Sequence, residues 1–246
     1  CGPKILLSHD VIAQRAGRAY NKLIASACKR SESYCIKVNG AHVFSFSQKD
    51  CDMIRCLYGV NARLCLDYID PYIVRAAPKV IKESYVFIGK WSRADNLDGV
   101  VWFYKAVAPY VKKPIIINII GKNFPKERVN CNNPMVTTKI LGFVTNPYQL
   151  IANSKAMLAP LFTGAGIKVK VVESLACGTP VIGTEIAFEG LPEKYSNMML
   201  LAHDVESYLK AMEVNIPVEE RRRIKEEFIA DYTSETIPQF LNKILK

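Results

Sequence analysis

Short apolar runs alternate with segments of helical period along almost the whole of this 246-residue chain, and that alternation constrains its fold more than any other feature. Strands buried on both faces read as continuous apolar runs, and parallel pairing of such strands requires a crossover segment, usually a helix, between them. Strands are predicted at Ile5–Ser8, Val43–Phe46, Arg63–Tyr68, Tyr85–Ile88, Ile115–Ile120, Lys139–Phe143, Ala156–Pro160, Pro180–Gly183 and Met198–Leu201. Helical patterns occupy Val11–Lys29, Gln48–Tyr58, Asn96–Val111, Pro147–Asn153, Lys168–Ala176, Val205–Val214, Pro217–Asp231 and Ser234–Leu245. Ser or Asn precedes several of them as a reasonable cap. The pattern predicts an α/β fold built on parallel sheet.

The rhythm breaks at Pro71–Glu83, which carries two prolines and several basic residues without a clear period. A boundary placed there gives a partial α/β lobe over residues 1–83 and a second domain over 84–246. The first holds about three strand candidates, too few for a comfortable independent sheet. The second has six with crossover helices, enough for a doubly wound, Rossmann-like domain whose ligand sits at the carboxyl ends of the strands.

Within that domain, Thr163–Thr184 (TGAGIKVKVVESLACGTPVIGT) carries the most chemistry. Gly164 and Gly166 let the backbone approach a ligand and present N–H groups at a helix start, where the dipole favours an anion. Lys170 and Glu173 are three residues apart and share a helix face. A cation for phosphate beside a carboxylate for hydroxyls suits a nucleotide sugar. Gly-rich turns before helices and Lys–Glu pairs are also ordinary features of α/β proteins. The segment is not a Walker loop, because its lysines follow isoleucine and valine instead of glycine.

Half of the residues are hydrophobic, which makes the chain globular, and a formal charge of +10 favours anionic partners. No nucleic-acid motif accompanies that charge. The basic triplet Arg221–Arg223 sits among glutamates on a helical pattern and reads as a solvated face. Eight cysteines without a C-x-x-C pair fit a reducing compartment, some of them as small core residues. The longest clear apolar run, Ile115–Ile120, is far short of the ~20 residues that span a bilayer. The start at Cys-Gly-Pro instead of Met leads us to expect a piece of a longer polypeptide.

Three segments in order, VFIGKWSRADNLDGVVWFYKAVAPYV, IIINIIGKN and ILGFVTNPYQLIANSKAMLAPLFTGAGIKVKVVESLACGTPVIGTEIAFEGL, resemble the C-terminal half of retaining glycosyltransferases of the GT-B fold. This is the group 1, family 4-like set that includes phosphatidylinositol mannosyltransferases and many bacterial polysaccharide transferases. The resemblance is close over Ser84–Leu191 and looser beyond. It implies a GT-B-like arrangement with a nucleotide sugar between two Rossmann-like domains, held mainly by the second. Gly89 and Lys90 match the basic turn that faces the diphosphate. Gly142, Phe143 and Val144 match the loop that holds the base, and Glu173 matches the second glutamate of an E-x7-E pattern that binds the ribose. The first glutamate is replaced by Ala165, so the resemblance assigns the polar work near phosphate and sugar to Lys168, Lys170 and the amides of Gly164, Ala165, Gly166 and Ile167. The front segment ILLSHD places His9 as a contact to the donor sugar, with Asp10 beside it to orient His9 or the acceptor; His42 and His203 match no motif.

The expected activity is transfer of a sugar from a nucleoside diphosphate sugar, UDP- or GDP-linked, to an acceptor hydroxyl with retention of configuration and without a metal. His9, Lys90, Lys170 and Glu173 are its expected catalytic residues, with no cofactor. The expected partners are the donor and a glycan or lipid-linked acceptor, in the cytoplasm or against the inner face of a membrane, with no nucleic acid. Two alternatives stand beside it: another GT-B enzyme such as a nucleotide-sugar epimerase, and a nucleotide-binding lobe without independent activity. The final helix Ser234–Leu245 is expected to pack back on the first lobe.

Overall fold

The computed structural model describes residues 4–37, 40–66, 69–233 and 242. The first lobe runs β1 (Lys4–Ser8), α1 (Ile12–Ala19), α2 (Lys22–Ile36), β2 (Ala41–Ser45), α3 (Gln48–Tyr58) and β3 (Arg63–Leu64). Its three strands are parallel, in the order β1-β2-β3. Val11, Ile36, Val43, Cys51, Ile54 and Tyr58 form its small core. The helix predicted over Val11–Lys29 is two helices. The break falls at Tyr20 and Asn21, where Asn21 leaves the helical region and its side chain accepts from the Ile24 N–H to start a new helix. Buried Glu32 of α2 accepts the Ile12 and Ala13 N–H groups at 2.7 and 2.8 Å and the Tyr58 hydroxyl at 2.5 Å, tying α1, α2 and α3 together.

The segment that breaks the sequence rhythm holds a short helix, α4 (Pro71–Arg75), capped by Asp70. Ile69, Ile73 and Ala76 pack into the core of the second lobe. That lobe continues through β4 (Lys82–Ile88), α5 (Ala94–Ala106), β5 (Ile115–Ile120), β6 (Val136–Gly142), α6 (Tyr148–Ala152), β7 (Ser154–Ala159), α7 (Val169–Ala176), β8 (Val181–Gly183), β9 (Met199–Leu201), α8 (Val205–Glu213) and α9 (Val218–Tyr232). Its strands are all parallel, in the order β6-β5-β4-β7-β8-β9. The strand order reverses between β4 and β7, which makes the crevice beyond their carboxyl ends the place where ligands of such sheets bind.

Both faces of this sheet are covered. Val86 belongs to one hydrophobic core with Met157, Leu175 and Phe228, while its neighbours Tyr85 and Phe87 face a second core with Phe103, Ile117 and Tyr208. That is the continuous apolar strand of a doubly wound sheet. The predicted helix Ser234–Leu245 lies outside the described residues, Asn242 excepted.

The reading of Arg221–Arg223 as a solvated face is corrected. Arg221 is fully buried and donates from Nε to the Ile216 carbonyl and from its two Nη atoms to the Ser154 and Lys155 carbonyls, each at 2.9 Å. Arg222 reaches the Pro78 carbonyl at 3.0 Å. Lys225, one turn further on, is buried against the carbonyls of Ile73, Val74 and Ala76. The cause is that α9 runs past the end of α4 and the start of β7, where the long side chains of Arg221 and Lys225 reach inward to backbone carbonyls. Arg222 and Arg223 are both exposed and fit the surface reading, Arg223 with a side chain 65% exposed and paired to Glu227 four residues on.

Candidate functional site

A cleft of 720 Å³ opens at the switch point, between the carboxyl ends of β4 and β7 on one side and the first lobe on the other. The segment after β4 contributes Lys90, Arg93, Asp95 and Asn96. The loop after β7 and the start of α7 contribute Thr163, Gly164, Ala165, Ile167, Lys168 and Lys170, and His9, Asp10, Arg15, Tyr20 and Phe46 form the opposite wall. Four cations of the second lobe thus meet in one place although two of them lie about eighty residues from the others. Consecutive strand ends on either side of a switch point are neighbours in space, and the fold does the rest.

The glycine loop offers the cleft free hydrogen-bond donors. The backbone N–H groups of residues 163–167 have no hydrogen-bond partner among the described residues, and they lead into the amino end of α7. Its carbonyls, by contrast, are occupied: Gly164 O accepts from Arg18 Nη1 at 2.8 Å and Gly166 O from Lys168 Nζ at 2.5 Å. Lys170 Nζ donates to Asn96 Oδ1 at 2.7 Å, and Asn96 Nδ2 donates to the Lys90 carbonyl at 3.1 Å. Arg93 is held by a two-point contact with Asp95 at 3.2 and 2.7 Å. Burial pulls the ammonium of Lys170 down to about 8. Burial does the same to Lys168, also to about 8, with Glu189 offsetting part of it. Both lysines are therefore charged cations near neutrality but incompletely satisfied, which is the state in which an incoming anion gains most.

Glu189, in the turn after β8, lies outside the cleft lining and joins the two lobes. It takes a two-point contact from Arg18 at 2.8 and 2.9 Å, one from Gln14 at 2.8 Å and one from Lys49, all from the first lobe. Lys168 of its own lobe lies at 3.8 Å. Burial alone pushes this carboxyl up, but hydrogen bonds from Arg18 and Lys49 outweigh it and hold the group at about 2. Two glycines mark the same seam. Gly166 has φ +68°, and a Cβ there would lie 2.9 Å from the Asp10 Cβ and the His9 carbonyl. Gly190 has φ +83°, and a Cβ there would lie 2.8 Å from the Ser47 Cβ. At both Gly166 and Gly190 a side chain would collide with the first lobe.

The structure therefore brings His9, Lys90, Gly164, Ala165, Ile167, Lys168 and Lys170 to one cleft. His9 stands exposed at the end of β1 with its ring edge-on to Phe46, centroids 4.9 Å apart. Gly89 precedes Lys90 and leaves room for the Asn96 amide, which a Cβ would meet at 3.1 Å. Glu173 lies one turn further along α7, outside the cleft lining, and accepts from the Tyr148 hydroxyl at 3.2 Å. Burial first, and then the charge of Glu173, raise the Tyr148 phenol, which keeps that proton in place. Gly142, Phe143 and Val144 also lie outside the lining, at the carboxyl end of β6. There Phe143 is 64% exposed with the Lys122 ammonium 4.7 Å from its ring centre. Sequence reasoning passed over Arg18, Arg93, Asn96 and Glu189. Arg93 and Asn96 carried a signal, since Arg93 caps and Asn96 opens the helix that follows Gly89-Lys90; Arg18 and Glu189 carried none.

The sequence profile of the group 1 glycosyl transferases matches residues 82–215. The chain belongs to this family. A relative from Klebsiella pneumoniae, an uncharacterized 44.6 kDa protein in the cps region, is 25% identical over 131 residues, covering 49% of this chain and 34% of that protein. Among solved structures, TarM superposes with a TM-score of 0.68 at 15% identity, over 98% of this chain and 49% of TarM. The sucrose-phosphate synthase of Thermosynechococcus elongatus gives a TM-score of 0.69 at 14% identity, over 98% of this chain and 67% of that enzyme. WaaG, a glycosyltransferase involved in lipopolysaccharide biosynthesis, gives 0.62 at 12% identity, over 95% of this chain and 71% of WaaG. At such identities the likeness is one of fold, and it covers both lobes of this GT-B arrangement. The chain spans about a third of the Klebsiella relative and about half of TarM. The described residues contain no helix long and apolar enough to cross a membrane.

Proposed function

We propose that this chain carries the donor site of a retaining glycosyltransferase, which moves a sugar from a nucleoside diphosphate sugar to an acceptor hydroxyl. One observation carries the reading: unpartnered loop amides and the cations Lys90, Arg93, Lys168 and Lys170 converge on a cleft at the switch point of a doubly wound sheet. Transfer builds negative charge on the departing diphosphate as the glycosidic bond stretches. Preorganised donors aimed at that developing charge lower the barrier, and the loss of one costs ~10²-fold or more in rate. These four cations supply that charge without a metal ion. His9 approaches from the opposite lobe, where it contacts the sugar. S. aureus TarM is known in complex with UDP, and HepE of Anabaena with UDP and glucose, which supports a nucleotide in this family's cleft. Glu173 and the Phe143 loop, both outside the cleft lining, hold the ribose and base once the nucleotide extends along the strand ends. The acceptor is a glycan or lipid-linked hydroxyl, and the protein works in the cytoplasm as part of a longer polypeptide.

Calorimetric titration with UDP, GDP, ADP and TDP tests the reading. One of them binds with a 1:1 stoichiometry and Lys170→Ala weakens it at least tenfold. Heats indistinguishable from dilution for all four would remove the nucleotide site.

A further inference from the structure

Glu189 is absent from the donor set just described, yet it is 8% exposed and bound by groups from both lobes. Two of those groups have a second acceptor in the glycine loop. Arg18 holds the Gly164 carbonyl and Lys168 the Gly166 carbonyl. A trans peptide is planar, with its N–H opposite its C=O. Fixing the Gly164 carbonyl therefore fixes the direction of the Ala165 N–H, and fixing the Gly166 carbonyl does so for the Ile167 N–H. Both residues line the cleft. Without Glu189, Arg18 on α1 has only the loop carbonyl to hold it, and Lys168 loses its neighbouring carboxylate.

We infer that Glu189 is a positioning residue for diphosphate recognition: through Arg18 and Lys168 it sets two peptide planes of the glycine loop so that their N–H groups face the bound anion. Because Arg18 belongs to the other lobe, the loop takes its anion-binding form only when the two lobes are together. The close seam at Gly166 and Gly190 independently requires that closed arrangement. This inference rests on the nucleoside diphosphate reading of the cleft.

The test titrates the whole chain with UDP and with GDP, in wild type, Glu189→Gln, Arg18→Met and the double variant, alongside their melting temperatures. The expected result is at least tenfold weaker binding in each single variant, with the double variant no more than about threefold weaker than the worse single one, as for residues acting through one chain of contacts. The hydrogen-exchange protection that saturating nucleotide gives residues 163–167 should be reduced in both single variants. Three results would overturn the inference: wild-type affinity in a Glu189→Gln protein that merely melts earlier, fully multiplicative losses in the double variant, or wild-type protection of the loop by saturating nucleotide in both single variants. Should Glu189→Gln not fold, Arg18→Met decides, since its side chain is 37% exposed and its replacement leaves the cores untouched; wild-type affinity there also overturns the inference. Failure of the wild type to bind either nucleotide, with ADP and TDP also giving only heats of dilution, is a different outcome, and it sinks the functional reading on which this one stands.

Discussion

The Lys170 ammonium lies 2.7 Å from the Asn96 Oδ1, and the same amide donates through Nδ2 to the Lys90 carbonyl at 3.1 Å. One uncharged side chain thus links two lysines that line the cleft without neutralising either. A carboxylate at position 96 would neutralise Lys170 and lose the donor that holds the Lys90 carbonyl. Asn96→Asp is expected to weaken nucleoside diphosphate binding roughly tenfold, on the scale of one hydrogen bond to a charged group. Calorimetry on the two proteins at matched ionic strength checks it, and equal affinities would show that Lys170 does not face the anion.

The two buried lysines also give the site a pH signature. Lys168 and Lys170 are held near 8 by burial, below their ordinary value of 10.5. Between about pH 8 and 10.5 the unfolded chain binds more protons than the folded one, so these groups make stability rise with pH across that window. Anion binding runs the other way. A diphosphate favours the charged lysines, so affinity should fall as pH rises through about 8, and binding near that pH should take up protons. Titrations in buffers of different ionisation enthalpy measure the uptake directly. Its disappearance in Lys170→Met, in part, assigns it to this pair.

The lobe seam makes a separable claim. Gly142 and Gly166 have almost the same backbone angle, φ +67° and +68°, but a Cβ on Gly142 meets nothing within 4 Å. Gly142→Ala should therefore cost only the left-handed strain, about 1–2 kcal/mol. Gly166→Ala adds contacts at 2.9 Å with backbone and Cβ atoms of the other lobe, and it is expected to cost more and to separate the lobes. Chemical denaturation measures the difference, and small-angle scattering detects the opening. Equal costs and an unchanged radius would mean that the seam is loose.

These results divide according to how far apart in sequence the interacting groups lie. Each predicted strand has a counterpart, most plainly β4, β5 and β7, whose burial on both faces leaves a largely apolar run. Boundaries drift where pairing instead of burial sets the end: Arg63–Tyr68 contracts to Arg63–Leu64 in the described residues, and Lys139–Phe143 extends back to Val136. Lys90, Lys168 and Lys170 were legible because their segments carry glycine turns ahead of helices. Arg18 and Glu189, 171 residues apart, form a pair that no local pattern announces. The split between α1 and α2 did have a local sign in Asn21, but the surrounding helical period concealed it.

Arg221 offers the sharpest contrast between pattern and place. It sits in a run of three arginines among glutamates, yet its guanidinium is fully buried and bound to the carbonyls of Ile216, Ser154 and Lys155. Two of those carbonyls belong to the first residues of β7, the strand that leads into the glycine loop. Burial lowers the guanidinium to about 10, which leaves it charged at any pH the protein would meet in a cell. Arg221→Met fills much of the volume but leaves three buried carbonyls unpaired, each costing about 1–3 kcal/mol. The expected loss of stability is at least ~3 kcal/mol, whereas Arg223→Met, two residues away on the exposed face, should stay within about 0.5 kcal/mol. Urea denaturation of both variants measures this. A small effect at Arg221 would mean that water replaces the guanidinium at those carbonyls and that α9 is not locked to the start of β7.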